Sequence, residues 1–464
     1  MHYTSSTTPA DIADNLNVNP DYAASALVWQ RQKNPAWKNS KSASAEYPGC
    51  KHKWSKWQLA DGAAALLPVG SVSKCARYAI KASEGASNIT VRRRDDRSCY
   101  YGGLQFCGSV WTCPVCASKI AATRGEELKR GIQNWRDGGG DVLAVTYTLS
   151  HRKEDSCADT LNDLLCARRR MKSGRKALKL VGVVGTTRGI ETTVGRGNGW
   201  HVHCHELIFI DSKCSEENIY YVKSKISDSW LAALSSVGRS GSTDRAVDVS
   251  RVESNAEAYV SKTVWGGHSE LTGAPEKVGK NGNLTVWQLI AGVLVSGDLQ
   301  GYEAQMFREY AAAFKGCRQL AYSKGLRSLL GIAEDVKTDE EVANDKLDGG
   351  EELVTIDKLL EWPLVIANSL KGELLKVATL QGKCGLEAWL ADLCWESSLA
   401  ACDSSSIDAE KRRKSREYGQ KRRAQRLRTE FRIVTHKRQW KEVAEKSLYE
   451  TCPYEAGSKE LVLC

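Results

Sequence analysis

Three of the eight histidines in the chain stand at alternate positions in Trp200-His201-Val202-His203-Cys204-His205. In an extended strand, residues two apart project from one face, so these three imidazoles point together. Imidazoles at this spacing on a rigid strand suit a divalent metal, whereas a helical pair would be four apart. The plainer alternative is a polar strand edge whose histidines are hydrogen-bonded to neighbours, since buried imidazoles need partners. Beyond them, Leu207 and Phe209 share the histidine face while Ile208 and Ile210 make the other face apolar too. A strand that ends buried on both sides belongs at the centre of a sheet.

A second group is built on sulfur. Cys113-Pro114-Val115-Cys116 is a knuckle that presents two thiolates to one tetrahedral ion. Cys107 and Cys75 upstream complete a four-sulfur zinc site, with Cys99 as the competing fourth ligand. Small buried thiols without a metal are the simpler alternative. The N-terminus MHYTSSTTPADIADN has neither a basic n-region nor an apolar h-region, and no run of eighteen apolar residues occurs. A cytoplasmic chain without membrane contact is therefore expected, in which the 16 cysteines are thiols or metal ligands and not disulfides.

Charge points to a polyanion. Of the net charge of +10, most comes from residues 411–428, where ten Lys/Arg face Glu417 alone. Such density marks a nucleic-acid contact more than a solvated helix face. Arg412, Arg413, Lys414, Lys421, Arg422 and Arg423 would hold phosphates without reading sequence.

At 464 residues, two or three domains must position these groups. The pattern gives an α+β chain: a mostly disordered arm over 1–48, a Cys-rich zinc-binding region over 49–130, and a core over 131–268. A helical extension over 269–334 follows, then an acidic linker (335–352) with a small helical unit to 402, and a basic helical tail over 403–464. The periodicity predicts a helix over 119–138, a strand over 142–150, a basic helix over 157–178 and a strand over 180–194. Gly195-Arg196-Gly197-Asn198-Gly199 then turns the chain into the histidine strand as a hairpin. Glu191 joins the histidine face only if it lies opposite His203 or His205, which demands an odd loop or a bulge. The helix over 215–237 carries a core stripe through Ile219, Val222, Ile226, Trp230 and Leu234, with Tyr220 and Tyr221 read as packing residues. After a strand over 246–249, Ser254-Asn255-Ala256-Glu257 is the start of a capped helix, on which Tyr259 and Lys262 share a face. Residues 286–330 read as two helices.

In sequence order, Thr146-Tyr147-Thr148-Leu149, then Trp200-His201-x-His203-x-His205, then Tyr259-x-x-Lys262 resemble the replication initiators of rolling-circle plasmids, within the HUH endonuclease superfamily. CGSVWTCPVC before them and the stretch from Lys315 to Arg327 after them look like segments of actinobacterial-type plasmid Rep proteins. The resemblance covers about residues 70 to 400 and rests on all five segments in order.

That resemblance implies an antiparallel-sheet HUH core with helices packed on it, and it assigns roles. His203 and His205 are the paired metal ligands, His201 a ligand or support, and Glu191 the third ligand. Tyr259 is the nucleophile and Lys262 its motif partner. One position departs from the pattern: some relatives carry a Glu four residues before the Tyr to direct a second cleavage, and here Asn255 stands there. Glu253 or Glu257 would have to substitute. Mixed His and carboxylate ligation suits Mg or Mn. Such a site would nick single-stranded or extruded plasmid origin DNA, leaving a 5′-phosphotyrosine and a free 3′-OH for the host helicase and DNA polymerase to use. The alternatives are a single-tyrosine transposase or relaxase, the latter disfavoured because Tyr259 follows the histidines, and a non-catalytic zinc-stabilised DNA-binding regulator.

Overall fold

The computed structural model describes residues 54–402 apart from 83–84, 172–177, 180, 253–282, 333–336 and 346–349. Tyr259, Lys262, the arm over 1–48 and the basic stretch over 411–428 lie outside the described residues. The strands are β1 (Lys81–Ala82), β2 (Gly85–Ala86), β3 (Ile89–Arg93), β4 (Cys99–Gly102), β5 (Asp141–Tyr147), β6 (Val183–Gly195), β7 (Gly199–Ile210), β8 (Val247–Arg251), β9 (Leu320–Tyr322) and β10 (Glu351–Ile356). Together with the helices they make an α+β chain in which, among the described residues, every strand pairing is antiparallel.

The chain divides into two compact units. The smaller one, within Asn88–Gly102, Gly349–Ile366 and Glu373 onward, holds a sheet of order β10-β3-β4. Alternation buries Ile89 and Val91 on β3 and Val354 and Ile356 on β10, and Trp362 meets Tyr101 edge-on at 5.4 Å. The strand β10 adds to the small helical unit expected before 402. The acidic linker is corrected: within it, Thr338 and Glu341 form a reciprocal capping box that starts the helix Asp339–Asn344. Acids that look like linker composition favour the positive end of a helix once a cap is present.

The larger unit is built on a sheet of order β8-β5-β7-β6-β9, with the histidine strand β7 at its centre. On the histidine face, Leu207 and Phe209 pack with Val142 and with Ala121, Leu128 and Ile132 of the helix Pro114–Asp137. Trp135 locks this contact, its Nε1 donating to the Ile210 carbonyl at 2.8 Å. The helix starts five residues earlier than the pattern predicts, because Cys113 is its extended N-cap and Pro114, whose missing N–H costs nothing in a first turn, opens it. On the opposite face, the helix Cys157–Arg170 packs on β7 and the helix Glu216–Ser235 on β8. Trp230 of the latter lies 5.0 Å from the ring of Tyr147.

Two further expectations fail. Tyr220 and Tyr221 are not packing residues but exposed, at 77% and 37%, because the stripe through Val222, Ile226 and Trp230 turns them outward. Residues 286–330 form the helices Val286–Ser296 and Tyr302–Ala313 but then add β9, which pairs with β6 as an edge strand. Three residues carry too little periodicity to announce a strand.

Candidate functional site

The hairpin β6–β7 fixes which side chains share a face. Gly195 pairs with Gly199, leaving a loop of three residues, and Gly199 takes φ +72°, the left-handed residue that follows a turn of this length. The odd count places Glu191 directly opposite His203, with Thr193 opposite His201 and Gly189 opposite His205. From the other side, β5 places Thr146 opposite His205. The condition on Glu191 is thus met, and ligand atoms of Glu191, His203 and His205 all lie within 4.8 Å of one another.

The hydrogen bonds suit a cation site. His205 Nε2 lies 2.8 Å from Glu191 Oε2, and its Nδ1 lies 3.1 Å from Thr146 Oγ1. A threonine hydroxyl both donates and accepts, so it can serve either tautomer. Without a cation, Nε2–H donates to Glu191 and the hydroxyl donates to Nδ1. With one held there, Nδ1–H would donate to the hydroxyl, leaving Nε2 as the nitrogen offered to the ion. Thr146 therefore positions the ring in both states.

His201 stands beside this trio, its Nε2 2.8 Å from His203 Nε2. Burial, and then the neighbouring imidazoles His201 and His205, push His203 down to about 3. Burial, and then His151, push His201 down to about 4. Both are neutral at physiological pH, as ligands must be. Because the unfolded chain takes up these protons at about 6.5 and the folded one does not, the metal-free protein is expected to lose stability as pH falls from 6.5 toward 3. Urea unfolding across that window checks this. Replacing His201 and His203 with Gln should flatten the dependence, and an unaltered slope would contradict the assignment.

Behind the trio, Glu206, 1% exposed, is held by Arg168 of the helix Cys157–Arg170, whose Nε and Nη2 donate to its two carboxylate oxygens. This ion pair, buried under the central strand, fastens the helix to the back of the histidine strand. Removing one partner alone would cost about 3–5 kcal/mol.

The cysteine group is equally defined. Cys75 caps the short helix Ser71–Lys74, Cys107 lies on a loop, Cys113 caps the helix Pro114–Asp137 and Cys116 sits in its first turn. Sulfur to sulfur distances are 3.4 Å for Cys113–Cys75, 3.5 Å for Cys75–Cys116 and 3.7 Å for Cys107–Cys116. A tetrahedral ion with bonds of about 2.3 Å to sulfur needs edges of about 3.8 Å, so the four thiols already outline its cage. Hydrogen bonds from Cys107, Cys113 and Cys116 hold the Cys75 thiol far below its usual range, while Cys113 and Cys116 are pushed up. Cys99 is excluded from this group; its thiol points to the Arg97 carbonyl.

Three residues that sequence reasoning left without a role complete the surroundings. Thr146 orients His205, the ring of His151 lies tilted against that of His201 with centroids 4.8 Å apart, and Asn283 lies by the hairpin tip next to Leu284, which pairs with Val194. Thr146 alone carried a signal, as part of the Thr-Tyr-Thr-Leu segment. Tyr259 and Lys262 belong to 253–282, outside the described residues that begin again at Asn283.

Comparison with known proteins places this arrangement. Residues 102–363 match the family described as replication protein. Protein rep of Streptomyces lividans is 28% identical over 314 residues, covering 53% of this chain and 68% of that protein. Neomycin resistance protein of Streptomyces cyanogenus is 28% identical over 138 residues, covering 24% of this chain and 32% of that protein. No solved structure matches. The family match takes in more than half of the chain, with the knuckle from Cys113 to Cys116, Glu191 and all three strand histidines inside it, so the chain belongs to the replication-protein family as a plasmid Rep of the actinobacterial type.

Proposed function

We propose that the chain initiates rolling-circle replication of a plasmid by nicking one strand of its origin DNA, on the fold of an HUH endonuclease. The observation that carries this reading is the convergence of Glu191, His203 and His205 on adjacent central strands of an antiparallel sheet. Glu191, His203 and His205 would hold a divalent ion, Mg or Mn, which when bound would supply charge neutralisation at the non-bridging oxygens of a phosphodiester. His203 and His205 supply the nitrogen ligands and Glu191 the carboxylate, while Thr146 and His201 keep the rings aligned.

Tyr259 is the proposed nucleophile. Its phenolic oxygen forms a bond to phosphorus as the bond from phosphorus to the 3′ oxygen breaks, and that oxygen leaves with the electron pair and takes a proton from water. The phenolic proton goes to solvent, and the ammonium of Lys262 favours the phenolate by lowering its pKa. The product is a 5′-phosphotyrosine with a free 3′-OH, which the host helicase and DNA polymerase use.

The endonuclease core is proposed over 131–268, with zinc at Cys75, Cys107, Cys113 and Cys116 fixing the region before it. The basic residues Arg412, Arg413, Lys414, Lys421, Arg422 and Arg423 add sequence-independent phosphate contacts. Among the described residues, no helix is long and apolar enough to cross a membrane. Incubating the full chain with single-stranded origin DNA and Mn is expected to give a nicked strand joined covalently to protein, and chelator is expected to prevent both. Nicking that persists in chelator would refute the metal role, and binding without any cleavage would refute the enzyme.

A further inference from the structure

The tip of the β6–β7 hairpin holds more glycine than a three-residue loop requires, and its neighbours account for the excess. A Cβ on Gly199 would come within 2.7 Å of the Arg152 carbonyl oxygen and 2.9 Å of Lys153 Cα. One on Gly195 would come within 2.2 Å of Asn283 Oδ1. The absence of side chains thus lets two segments remote in sequence press against the turn. With Gly197, Asn198 and His201 they line an open cavity of about 360 Å3.

The lining is set for an anion. Arg152 and Lys153 are exposed, and their side chains make no hydrogen bond or ion pair among the described residues. Of the two acids that follow, Glu154 is exposed, and Asp155 is engaged by Arg239 and by the Arg152 backbone N–H. Asn283, 8% exposed, lines the same cavity; its Oδ1 lies against Gly195, so its Nδ2 is the end that can donate to an anion. His151 donates from Nδ1 to the Asn198 carbonyl at 2.8 Å, which braces the wall where its ring meets that of His201.

The position of the cavity says which anion. His201 forms part of its lining, and its Nε2 lies 2.8 Å from His203 Nε2, so the cavity opens directly beside the metal group. We propose that this cavity is a backbone subsite for single-stranded DNA, holding the phosphate next to the one that lies at Glu191, His203 and His205. Arg152 and Lys153 neutralise it, and Asn283 Nδ2 donates to one of its oxygens. The identity of the neighbouring phosphate as the scissile one rests on the nicking reading; the subsite itself does not.

The test measures binding of a fluorescent single-stranded oligonucleotide to the full chain in chelator, where no cleavage occurs, from low to moderate salt. The double variant Arg152→Gln, Lys153→Gln is expected to bind about tenfold more weakly at low salt, with a salt dependence shallower by about 0.7, the share of one single-strand phosphate. Asn283→Ala should weaken binding severalfold while leaving that slope intact, with thermal melts showing that it folds. Unchanged affinity and slope in the double variant would overturn the proposal. So would equal thermal stabilisation of the wild type by inorganic phosphate and by the oligonucleotide, which would make this a site for the free anion. Because binding is read in chelator, a failure of Mn-dependent nicking would leave the result standing, and the reverse holds as well.

Discussion

Replacing His203 and His205 together with alanine is expected to lower Mn-dependent strand cleavage by about 10³-fold or more, with oligonucleotide binding in chelator nearly unchanged. Without them Glu191 is the only ligand left of the trio, too little to fix an ion against a phosphodiester, and the lost charge stabilisation falls on the chemical step. The fold should survive, because the core beneath the site is carried by Leu207, Phe209 and the helix Pro114–Asp137 and not by the imidazoles. Glu191→Gln sharpens the test. The amide keeps a hydrogen bond to His205 but withdraws the negative charge, so metal affinity should fall while the thermal melt stays close to wild type. A double-alanine variant that cleaves at wild-type rate would place the catalytic ion elsewhere.

The second large effect is expected at the cysteines. The purified chain should carry one zinc, and Cys113→Ser combined with Cys116→Ser should carry none and lose its cooperative thermal transition. Structural zinc sites contribute on the order of 10 kcal/mol of binding free energy, comparable to the whole net stability of a domain. Here the loss would reach the histidine strand, because Cys113 and Cys116 begin the helix whose later turns bury Leu207 and Phe209. Metal analysis beside a melting curve checks both points. A variant that melts like the wild type would reduce the group to four packed thiols.

What the sequence made legible was local in character. Alternation alone placed His201, His203 and His205 on one face and β7 at a sheet centre, because a period of two and an apolar end are properties of consecutive residues. Glu191 was legible only as a condition, since its face depends on whether the loop holds an odd number of residues, and the pairing of Gly195 with Gly199 decides that. The choice between Cys75 and Cys99 had no local answer, as both precede the knuckle at workable distances along the chain. Thr146, His151 and Asn283 acquire roles only through partners roughly 40 to 90 residues away, which no window on the sequence contains. The helix Asp339–Asn344 was hidden for the opposite reason: its composition resembled a linker, and the cap at Thr338 outweighed it.

The central claim is that a phenol of this chain takes over a DNA phosphate at a cation held by Glu191, His203 and His205. Mapping the peptide that retains nucleotide after reaction with single-stranded origin DNA and Mn tests it most directly. The account expects the nucleotide on the peptide containing Tyr259, absent in chelator and absent in the Tyr259→Phe variant. A nucleotide on any other tyrosine, or an adduct that forms equally well in chelator, would contradict it.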